Sequence, residues 1–443
     1  MLPTKNHLFG LLVLLLWPVL ALADIPTYNV TAFGARGDGS TNDAPAIQQA
    51  INACSNSGGG RVLLTGGHTY MAGPLQLKSN VQLYITAGTT LLANPDESIY
   101  TLSAFGSNRG EGSLWLWAEH ARNISITGGG TISGNGIKFM GAPNVDSYDL
   151  KPVTTFDPRP HVLTLIDVAN LSITDINITE GAYWTIHLVG CTNAVISGVN
   201  LLNNVMIRNG DGIDIDHSKY VRISNCHITS GDDCICLKNR REYTQYGSCH
   251  DIVVDNCILT SRSCAIKIGS ENVDSIYNAS FSNCIVTNSN RGLGIQNRDE
   301  GTVTNISFSN IMMDLHLWSD VWWGKAEPIY VTSYPRPTAN NKDGNWRFRP
   351  GQTVGECGRV SHIYFNNITA TTENGCFIGA DVPGKVEQVV FNNVSIELKR
   401  LTHYPTNLVD KRPCQGNELT TSLGKPVETE NVVHCKLDIV PLL

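Results

Sequence analysis

The sequence predicts an all-β solenoid, a right-handed parallel β-helix with a short N-terminal capping helix, and three observations support this fold class. Short β-branched segments recur along the chain, each with an Asn followed by an apolar residue. Helical spacing of apolar residues is confined to "APAIQQAINAC" at 44–54. Finally, the segments recur with a period in the twenties and are separated by turn residues.

The repeat is clearest in the C-terminal half of the chain, where each segment aligns on one asparagine. A period in the twenties predicts coils stacked about 4.8 Å apart, with the asparagine side chains forming a hydrogen-bonded ladder. Weaker copies lie at 123–134, 171–179 and 193–202. The anchoring residues are separated by 31, 27, 27, 57 and 26 positions and are Asn225, Asn256, Asn283, Asn310, Asn367 and Asn393.

Two further features fit the solenoid. The helix at 44–54 is expected to cover the N-terminal end, where exposed strand edges would promote aggregation. The long interval at 311–362 holds an insertion with Trp318, Trp322 and Trp323. These rings either stack on sugars or pack into a small core within the loop.

The chain is expected to be secreted and extracellular. In residues 1–23, Lys5 precedes the apolar run "LFGLLVLLLWPVLALA", which indicates a signal peptide; a membrane anchor is the alternative, although the run is short for one. Residues 24–443 would form a single β-helix catalytic domain, acting as a monomer. With a net charge of −7, no basic block and no other long apolar run, neither nucleic acid nor a membrane is an expected partner.

The potential glycosylation sites and the cysteines agree with an oxidising compartment. The Asn-x-Ser/Thr sites also fit strand edges, so they are weak support; they are Asn29, Asn123, Asn170, Asn177, Asn278, Asn305, Asn367 and Asn393. Among 13 cysteines, the predicted local disulfides are Cys234–Cys249 and Cys414–Cys435. Zinc spacing is absent, and no metal or cofactor is expected. Cysteines at one repeat phase are predicted to stack as small buried hydrophobes, namely Cys226, Cys257 and Cys284.

The aspartates are the candidate catalytic groups. Asp211 precedes Asp232 by 21 residues, or one coil, so Asp211, Asp232 and Asp233 are expected on one face. Like charges this close repel, and at least one pKa should rise. A protonated carboxyl beside an ionised one is what glycoside hydrolysis requires. A calcium site or a solvated face are the alternatives at this point.

These motifs resemble a known family. "NGDGIDID" and "SGDDCICLK" are similar to the two aspartate motifs of glycoside hydrolase family 28, the polygalacturonase and rhamnogalacturonase family. "YNVTAFGARGDGSTNDAPAIQQAI" at 28–51 and "EGAYWTIHLVGCTN" at 180–193 also resemble segments of pectin-active β-helices. The resemblance implies hydrolysis with inversion, Asp232 as the general acid, and activation of water by Asp211 and Asp233.

The chain also departs from this family. Cys264 stands where polygalacturonases have the histidine of a Gly-His-Gly motif, and Gly294 and Gln296 stand at the basic positions of Arg-Ile-Lys. In the family these basic residues meet the galacturonate carboxylate beside the scissile bond, and a cation is the natural partner for that group. The remaining candidates for binding an acidic sugar, each also readable as a solvated charge, are Lys267, Arg298, Arg262 and Lys238.

The sequence therefore predicts a secreted inverting glycoside hydrolase acting on pectin or a related plant cell-wall polysaccharide. Exo action or a rhamnogalacturonan-type substrate is favoured, since a neutral sugar could occupy the subsite that lacks basic residues. The alternatives are an ordinary polygalacturonase, a calcium-dependent polysaccharide lyase, and a non-catalytic carbohydrate-binding β-helix.

Overall fold

The structure is a computed structural model that describes residues 25–105, 112–143, 150–153, 158–319, 324–335, 356–404, 408–410, 419–421 and 424–440. The predicted signal peptide, Trp322, Trp323 and Cys414 lie outside these ranges. Among the described residues, no helix is both long and apolar enough to cross a bilayer.

The described chain contains one α-helix, α1 (Ala44–Asn56), and four short 3-10 helices at Val30–Phe33, Glu97–Ile99, Gly136–Phe139 and Arg241–Tyr246. The strands of the first half are β1 Thr27–Asn29, β2 Asp38–Asn42, β3 Gly60–Leu64, β4 Thr69–Ala72, β5 Leu75–Gln76, β6 Val81–Ile85, β7 Thr90–Ala93, β8 Ser113–Thr127, β9 Thr131–Ser133, β10 Met140–Pro143, β11 Leu150–Pro152, β12 Pro160–Thr174, β13 Asn177–Thr179, β14 Ile186–Val189, β15 Thr192–Ser197, β16 Asn200–Leu202 and β17 Ile213–Asp216. Those of the second half are β18 Lys219–Ser224, β19 His227–Ser230, β20 Ile235–Asn239, β21 Cys249–Asp255, β22 Ile258–Ser261, β23 Cys264–Asn272, β24 Ile276–Ser282, β25 Ile285–Ser289, β26 Arg291–Asn297, β27 Val303–Leu315, β28 Ile329–Ser333, β29 Val360–Thr372, β30 Cys376–Ala380, β31 Val386–Leu398, β32 Leu408–Asp410, β33 Leu419–Thr421, β34 Val427–Glu430 and β35 Val432–Val433.

Thirty-one of these strands form one continuous sheet that winds around a core, and its strand ladders are parallel. Successive coils contribute to three faces, as the predicted right-handed parallel β-helix requires. We call one of them face A: it runs through the start of β12 and then β14, β17, β20, β23, β26, β28 and β30. Short antiparallel pairs, β10–β11 and β32–β33, lie outside this sheet.

The predicted asparagine row is confirmed, and the backbone explains why asparagine is used. Each of the six anchoring asparagines has a left-handed φ, between 53° and 56°, a conformation that Asn tolerates better than most residues. Their side-chain amides bond from coil to coil at 2.7–3.0 Å, in the pairs Asn256–Asn225, Asn310–Asn283, Asn367–Asn310 and Asn393–Asn367. Asn283 instead donates to Asp255 Oδ1 at 2.7 Å.

The core is built from columns of identical positions. Cys226, Cys257 and Cys284 are buried and stack in successive coils, as predicted. Phe281, Phe308 and Phe365 lie above one another, with ring centroids 4.9 Å apart. These columns follow directly from the repeat, because residues at the same phase of each coil meet at the spacing between strands.

The N-terminal end is covered as the sequence predicts. In α1 the buried residues are Ala46, Ile47, Ala50, Ile51 and Cys54, which pack on the first coils. Asp43, just before the helix, accepts hydrogen bonds from the backbone of Arg36 and Gly37 at 2.7 and 2.9 Å, fixing the preceding loop. The helix thereby protects the exposed strand edges of the solenoid.

The predicted Cys234–Cys249 disulfide is wrong, because both thiols are free and buried. Cys234 lies just before β20 on face A, where its Sγ contacts Ser230 Oγ at 3.2 Å. Cys249 begins β21 on the next face, after the whole of β20 and the helix Arg241–Tyr246. Strand β20 therefore separates two cysteines that are only 15 positions apart in sequence.

Candidate active site

Three carboxylates converge at one edge of face A. Asp211 lies just before β17, while Asp232 and Asp233 lie just before β20, in the next coil. One oxygen from each carboxyl lies within 4.8 Å of an oxygen from each of the others, and the three residues are only 2–3 % exposed. The convergence that the one-coil spacing predicts is therefore present in the structure.

Two of these carboxyls sit in surroundings that favour the protonated form. Burial, with the charge of Asp233 as a second cause, raises the pKa of Asp232 to about 6. Burial also raises the pKa of Asp211 well above its usual value, and the charges of Asp214 and Asp232 raise it further. One buried oxygen of Asp211 and one of Asp232 have no hydrogen-bond partner among the described residues.

The third carboxyl has strong partners. The ammonium group of Lys267 lies 2.7 Å from Asp233 Oδ2, and Ser263 Oγ donates to Oδ1 at 3.2 Å. Lys267 extends from β23, one coil further along face A, and its side chain is 12 % exposed. Asp233 therefore takes part in a largely buried ion pair directly beside Asp232.

Asp214 is a fourth acid of the site, which the sequence prediction omits. It lies in β17 and pairs with Lys238 Nζ at 2.7 Å. Burial raises the pKa of Asp214 to about 7, although Lys238 opposes the shift. The signal in the sequence is its alternation with Ile213 and Ile215, which point into the core and so turn Asp214 outward.

A group of aromatic residues packs over His187 in β14, the strand of face A that precedes β17. We call Phe105, Tyr183, Trp184 and Tyr243 the aromatic wall. The rings of Phe105 and Trp184 meet edge to face at 5.0 Å, and Lys238 Nζ lies 3.7 Å from the centroid of Trp184. The hydroxyl of Tyr243 donates to the carbonyl of Ala104. The wall thus joins the loop at 103–105 to the helix Arg241–Tyr246.

Buried polar groups hold the aromatic wall from beneath. Asp216 accepts from the backbone amide of Arg240 at 2.9 Å and contacts His187 Nε2 at 3.3 Å. The guanidinium of Arg240 lies 3.8 Å from the centroid of Phe105 and pairs with Glu242 at 2.9 Å. Burial lowers the pKa of His187, while the hydrogen bond and the charge of Asp216 oppose this shift.

The four predicted substrate-binding cations have different placements. Lys267 and Lys238 lie within the carboxylate cluster, each paired with an aspartate. Arg262 is buried and donates to the carbonyl of Val205 at 3.4 Å, which directs it toward the loop at 203–207. Arg298 follows the end of β26, whereas the acids precede their strands, so Arg298 lies at the opposite edge of face A.

The departures from the basic motif lie along the same face. Gly294 pairs in register with Lys267, and Gln296 pairs with Gly269. Cys264 Sγ is buried and lies 3.2 Å from the carbonyl of Ile266. The insertion contributes Trp318, half-buried and stacked on His316 with ring centroids 5.3 Å apart, so this ring packs within its own loop.

Comparison with known proteins agrees with this architecture. A solved exopolygalacturonase from Thermotoga maritima superposes with a TM-score of 0.68 over 93 % of each chain, at 21 % identity. The sequence is 29 % identical to a probable polygalacturonase of Vitis vinifera over 54 % of this chain and 50 % of that one. It is 31 % identical to polygalacturonase ADPG1 of Arabidopsis thaliana over 49 % of each. The chain thus spans about half the length of the curated relatives it matches.

Two family models match the sequence itself. Residues 27–91 match the model described as rhamnogalacturonase A/epimerase, pectate lyase-like. Residues 61–316, which include all four acids and both lysines of the site, match the model of glycosyl hydrolases family 28. Because this match covers more than half of the chain and the fold agrees, the protein belongs to glycosyl hydrolases family 28.

Proposed function

We propose that this chain, after removal of residues 1–23, is a secreted monomeric glycoside hydrolase that attacks the ends of pectic polysaccharides with inversion. Asp232 acts as the general acid, and Asp211 and Asp233 activate the attacking water. The observation that carries the proposal is the buried cluster in which Asp232 and Asp233 are neighbours with opposite surroundings. Such a difference between adjacent carboxyls is what separates the acid from the base in glycosidases.

The protonation states favour this assignment. With a pKa of about 6, Asp232 holds its proton in mildly acidic solution and can give it to the leaving oxygen. Asp233 is paired with Lys267 and can accept a proton from water. Asp211 faces the same space and is the second group that holds the water. Activity should therefore decline as the pH rises above about 6, where Asp232 loses its proton.

Exo action is supported by the aromatic wall. His187 in β14 and Asp214 in β17 are neighbours in register. The strand beneath the aromatic wall therefore adjoins the strand that carries Asp214. The rings of Trp184 and Phe105 lie 4.9 and 6.0 Å from His187 and cover it completely. In our proposal the aromatic wall stops a polysaccharide lying along face A at this point, so that the acids act on a bond near a chain end.

The leaving-side subsite favours a neutral sugar. Gly294 and Gln296 carry no charge, and two cations beside them are engaged by carboxylates, in the pairs Lys267–Asp233 and Arg291–Glu327. A buried carboxylate without a cationic partner loses several kcal/mol by desolvation. A rhamnogalacturonan fragment, with its neutral rhamnose, avoids this loss.

We infer inversion from the family resemblance. Inversion also depends on the distance between the acid and the base. Inverting enzymes usually separate acid and base by roughly 6.5–9.5 Å, whereas one oxygen from each member of this cluster lies within 4.8 Å of the others. In our proposal Asp211 and Asp233 together hold the water on the face of the sugar ring opposite the leaving oxygen, which Asp232 protonates. The anomeric form of the first product, read by NMR, distinguishes this from retention.

The cluster of carboxylate oxygens is also the observation that favours the second candidate, a calcium-dependent lyase. Against it stand Lys238 and Lys267, which already neutralise two of the four acids. A lyase would lose activity with a chelator and would form unsaturated products. A hydrolase would do neither, and a non-catalytic binding protein would form no product at all.

The experiment is a panel of pectic substrates with product analysis over time, at mildly acidic pH. We expect kcat/KM to be higher on rhamnogalacturonan fragments than on polygalacturonate, with one short product released from the start. An early ladder of oligosaccharides would refute exo action. A tenfold preference for polygalacturonate would refute the neutral subsite, while leaving the hydrolase assignment intact.

A further inference from the structure

The space beside Gly294 is already occupied by its neighbours. A Cβ atom on Gly294 would lie 2.9 Å from Cys264 Sγ and 3.3 Å from Arg291 Cδ. Both distances are tighter than ordinary van der Waals contact, and the backbone of Gly294 does not require glycine because its φ is not positive. Glycine is therefore present here because Cys264 and Arg291 fill the volume of a larger side chain.

Arg291 fills this volume without directing its charge at the cluster. Its guanidinium forms two hydrogen bonds to Glu327, at 3.1 and 3.0 Å, and lies 3.8 Å from the ring centroid of Tyr330. Arg291 is 5 % exposed and Glu327 is fully buried. A bidentate buried pair of this kind is fixed in place, so Arg291 acts as packing for the site.

The cation that does reach the acids comes from the adjoining strand. Lys267 is the register neighbour of Gly294 one coil toward the N-terminus. Its ammonium group contacts Asp233, the carboxylate that Ser263 also holds. Burial by itself would lower the pKa of Lys267, but the negative charge of Asp233 outweighs it and the pKa is raised, so the ammonium stays charged.

Resting on the proposed function, we propose that Lys267 is a positioning residue that holds Asp233 in place as the base through a direct ion pair. Cys264, Gly294 and Arg291 form the packing beside it. The charge of Lys267 thus acts on the catalytic carboxylate and not on the sugar. In our proposal, the uncharged residues Gly294 and Gln296 and the presence of Lys267 belong to one rearrangement. Lys267 supplies a positive charge to the site and directs it at Asp233.

The pH dependence of this arrangement follows from the groups around Asp233. These are Asp211 and Asp232 from the loops, Asp214 and Lys238 from β17 and β20, Lys267 from β23, and the buried thiols of Cys234, Cys236 and Cys264, whose pKa values are raised chiefly by burial. Replacing Lys267 with Met leaves the base beside three acids and one lysine, without the cation that favours its charged form. It also removes a charge that lowers the pKa of Asp232. Both limbs of the activity profile should then move to higher pH.

The first test compares the pH profiles of kcat/KM for the wild type, Lys267→Met and Lys267→Arg, with Lys219→Met on another face as a matched control. For Lys267→Met we expect both limbs to move upward by about one pH unit and activity at the original optimum to fall at least tenfold. Lys267→Arg should retain the wild-type profile, because it keeps the charge. Unchanged limbs in Lys267→Met would overturn the proposal.

The second test does not depend on activity. Melting temperatures are measured from pH 4 to 8 for Lys267→Met, Asp233→Asn and the double variant. The decrease in melting temperature caused by Lys267→Met should become larger as the pH rises, because an unpaired buried carboxylate is ionised at high pH. Adding Asp233→Asn should reverse this decrease. Strictly additive effects would overturn the ion-pair role. A wild type without hydrolase activity would instead refute the proposed function, and the melting data would still decide the role of Lys267.

Discussion

Asp232 is buried beside other acids, and Ser263 and Lys267 only partly offset the lost solvation of its charge. Its Oδ1 has no partner in the described part of the chain, and Asn209 reaches Oδ2 only at 3.5 Å. Such a group destabilises the folded protein whenever it is ionised, because desolvation of the charge is only partly compensated. The property that suits it to proton transfer is therefore the property that weakens the fold.

Asp232→Asn should abolish hydrolysis and stabilise the protein above pH 6. Loss of a general acid typically lowers the rate roughly 10²–10⁴-fold. The folded pKa of about 6 exceeds the ordinary 3.8, so the ionised group costs up to about 3 kcal/mol above pH 6. That cost declines as the pH falls through 6 toward 3.8. Melting curves at several pH values check the sign, with the exposed Asp314→Asn as control.

A variant that stays within a few-fold of wild-type activity would show that Asp232 is not the acid. A variant less stable than the wild type at pH 8 would show that the Asp232 carboxylate is better solvated than its burial indicates. The activity and the melting curves are independent measurements. The activity reports proton transfer, and the melting curves report the stability of the folded protein.

At the scale of elements, the asparagine row joins one coil to the next. Each rung combines a left-handed backbone with a side-chain amide that donates to the neighbouring coil. The sequence predicts this row because the same residue returns at each repeat. It also explains several Asn-x-Ser/Thr sites, since Asn367 and Asn393 are rungs whose amides are already bonded.

Asn256→Ala should lower the free energy of unfolding by about 1–2 kcal/mol, because alanine is disfavoured at a φ of 54°. Asn256→Gly should lose less, since glycine adopts this backbone freely. Urea unfolding of the two variants measures the difference. Equal losses would mean that the bond to Asn225, and not the backbone, is what asparagine supplies at this rung.

For the whole molecule, the repeat predicts the fold and the meeting of Asp211 with Asp232, but not the aromatic wall. The convergence of Asp211, Asp232 and Asp233 follows from the repeat, because residues one coil apart stack above one another. Tyr243 and Ala104 meet across 139 residues through loops that share no period with the strands. The disulfide prediction failed for a related reason, since distance in sequence does not tell which face a cysteine occupies.

Opening the aromatic wall should change the product pattern. In Phe105→Leu/Tyr243→Phe, the edge-to-face contact with Trp184 and the bond to Ala104 are lost, so the loop at 103–105 is held less firmly. We expect longer oligosaccharides to appear early in digestion. Phe281→Leu, in the distant core column, controls for lost stability. An unchanged single product would show that something other than the wall enforces cleavage at chain ends.

The rung between Asn310 and Asn367 spans 57 residues at 3.0 Å, while the next rung spans 26 at 2.9 Å. A coil can therefore gain some thirty residues without altering the registration of the coils on either side. The described residues 316–319 and 324–328 of this coil precede β28, at the edge of face A where the acids precede their own strands. In evolution, such a scaffold can gain or lose whole loops between its strands, while the strands that carry the catalytic residues keep their positions. Related hydrolases can then differ in their substrates while they keep the same reaction.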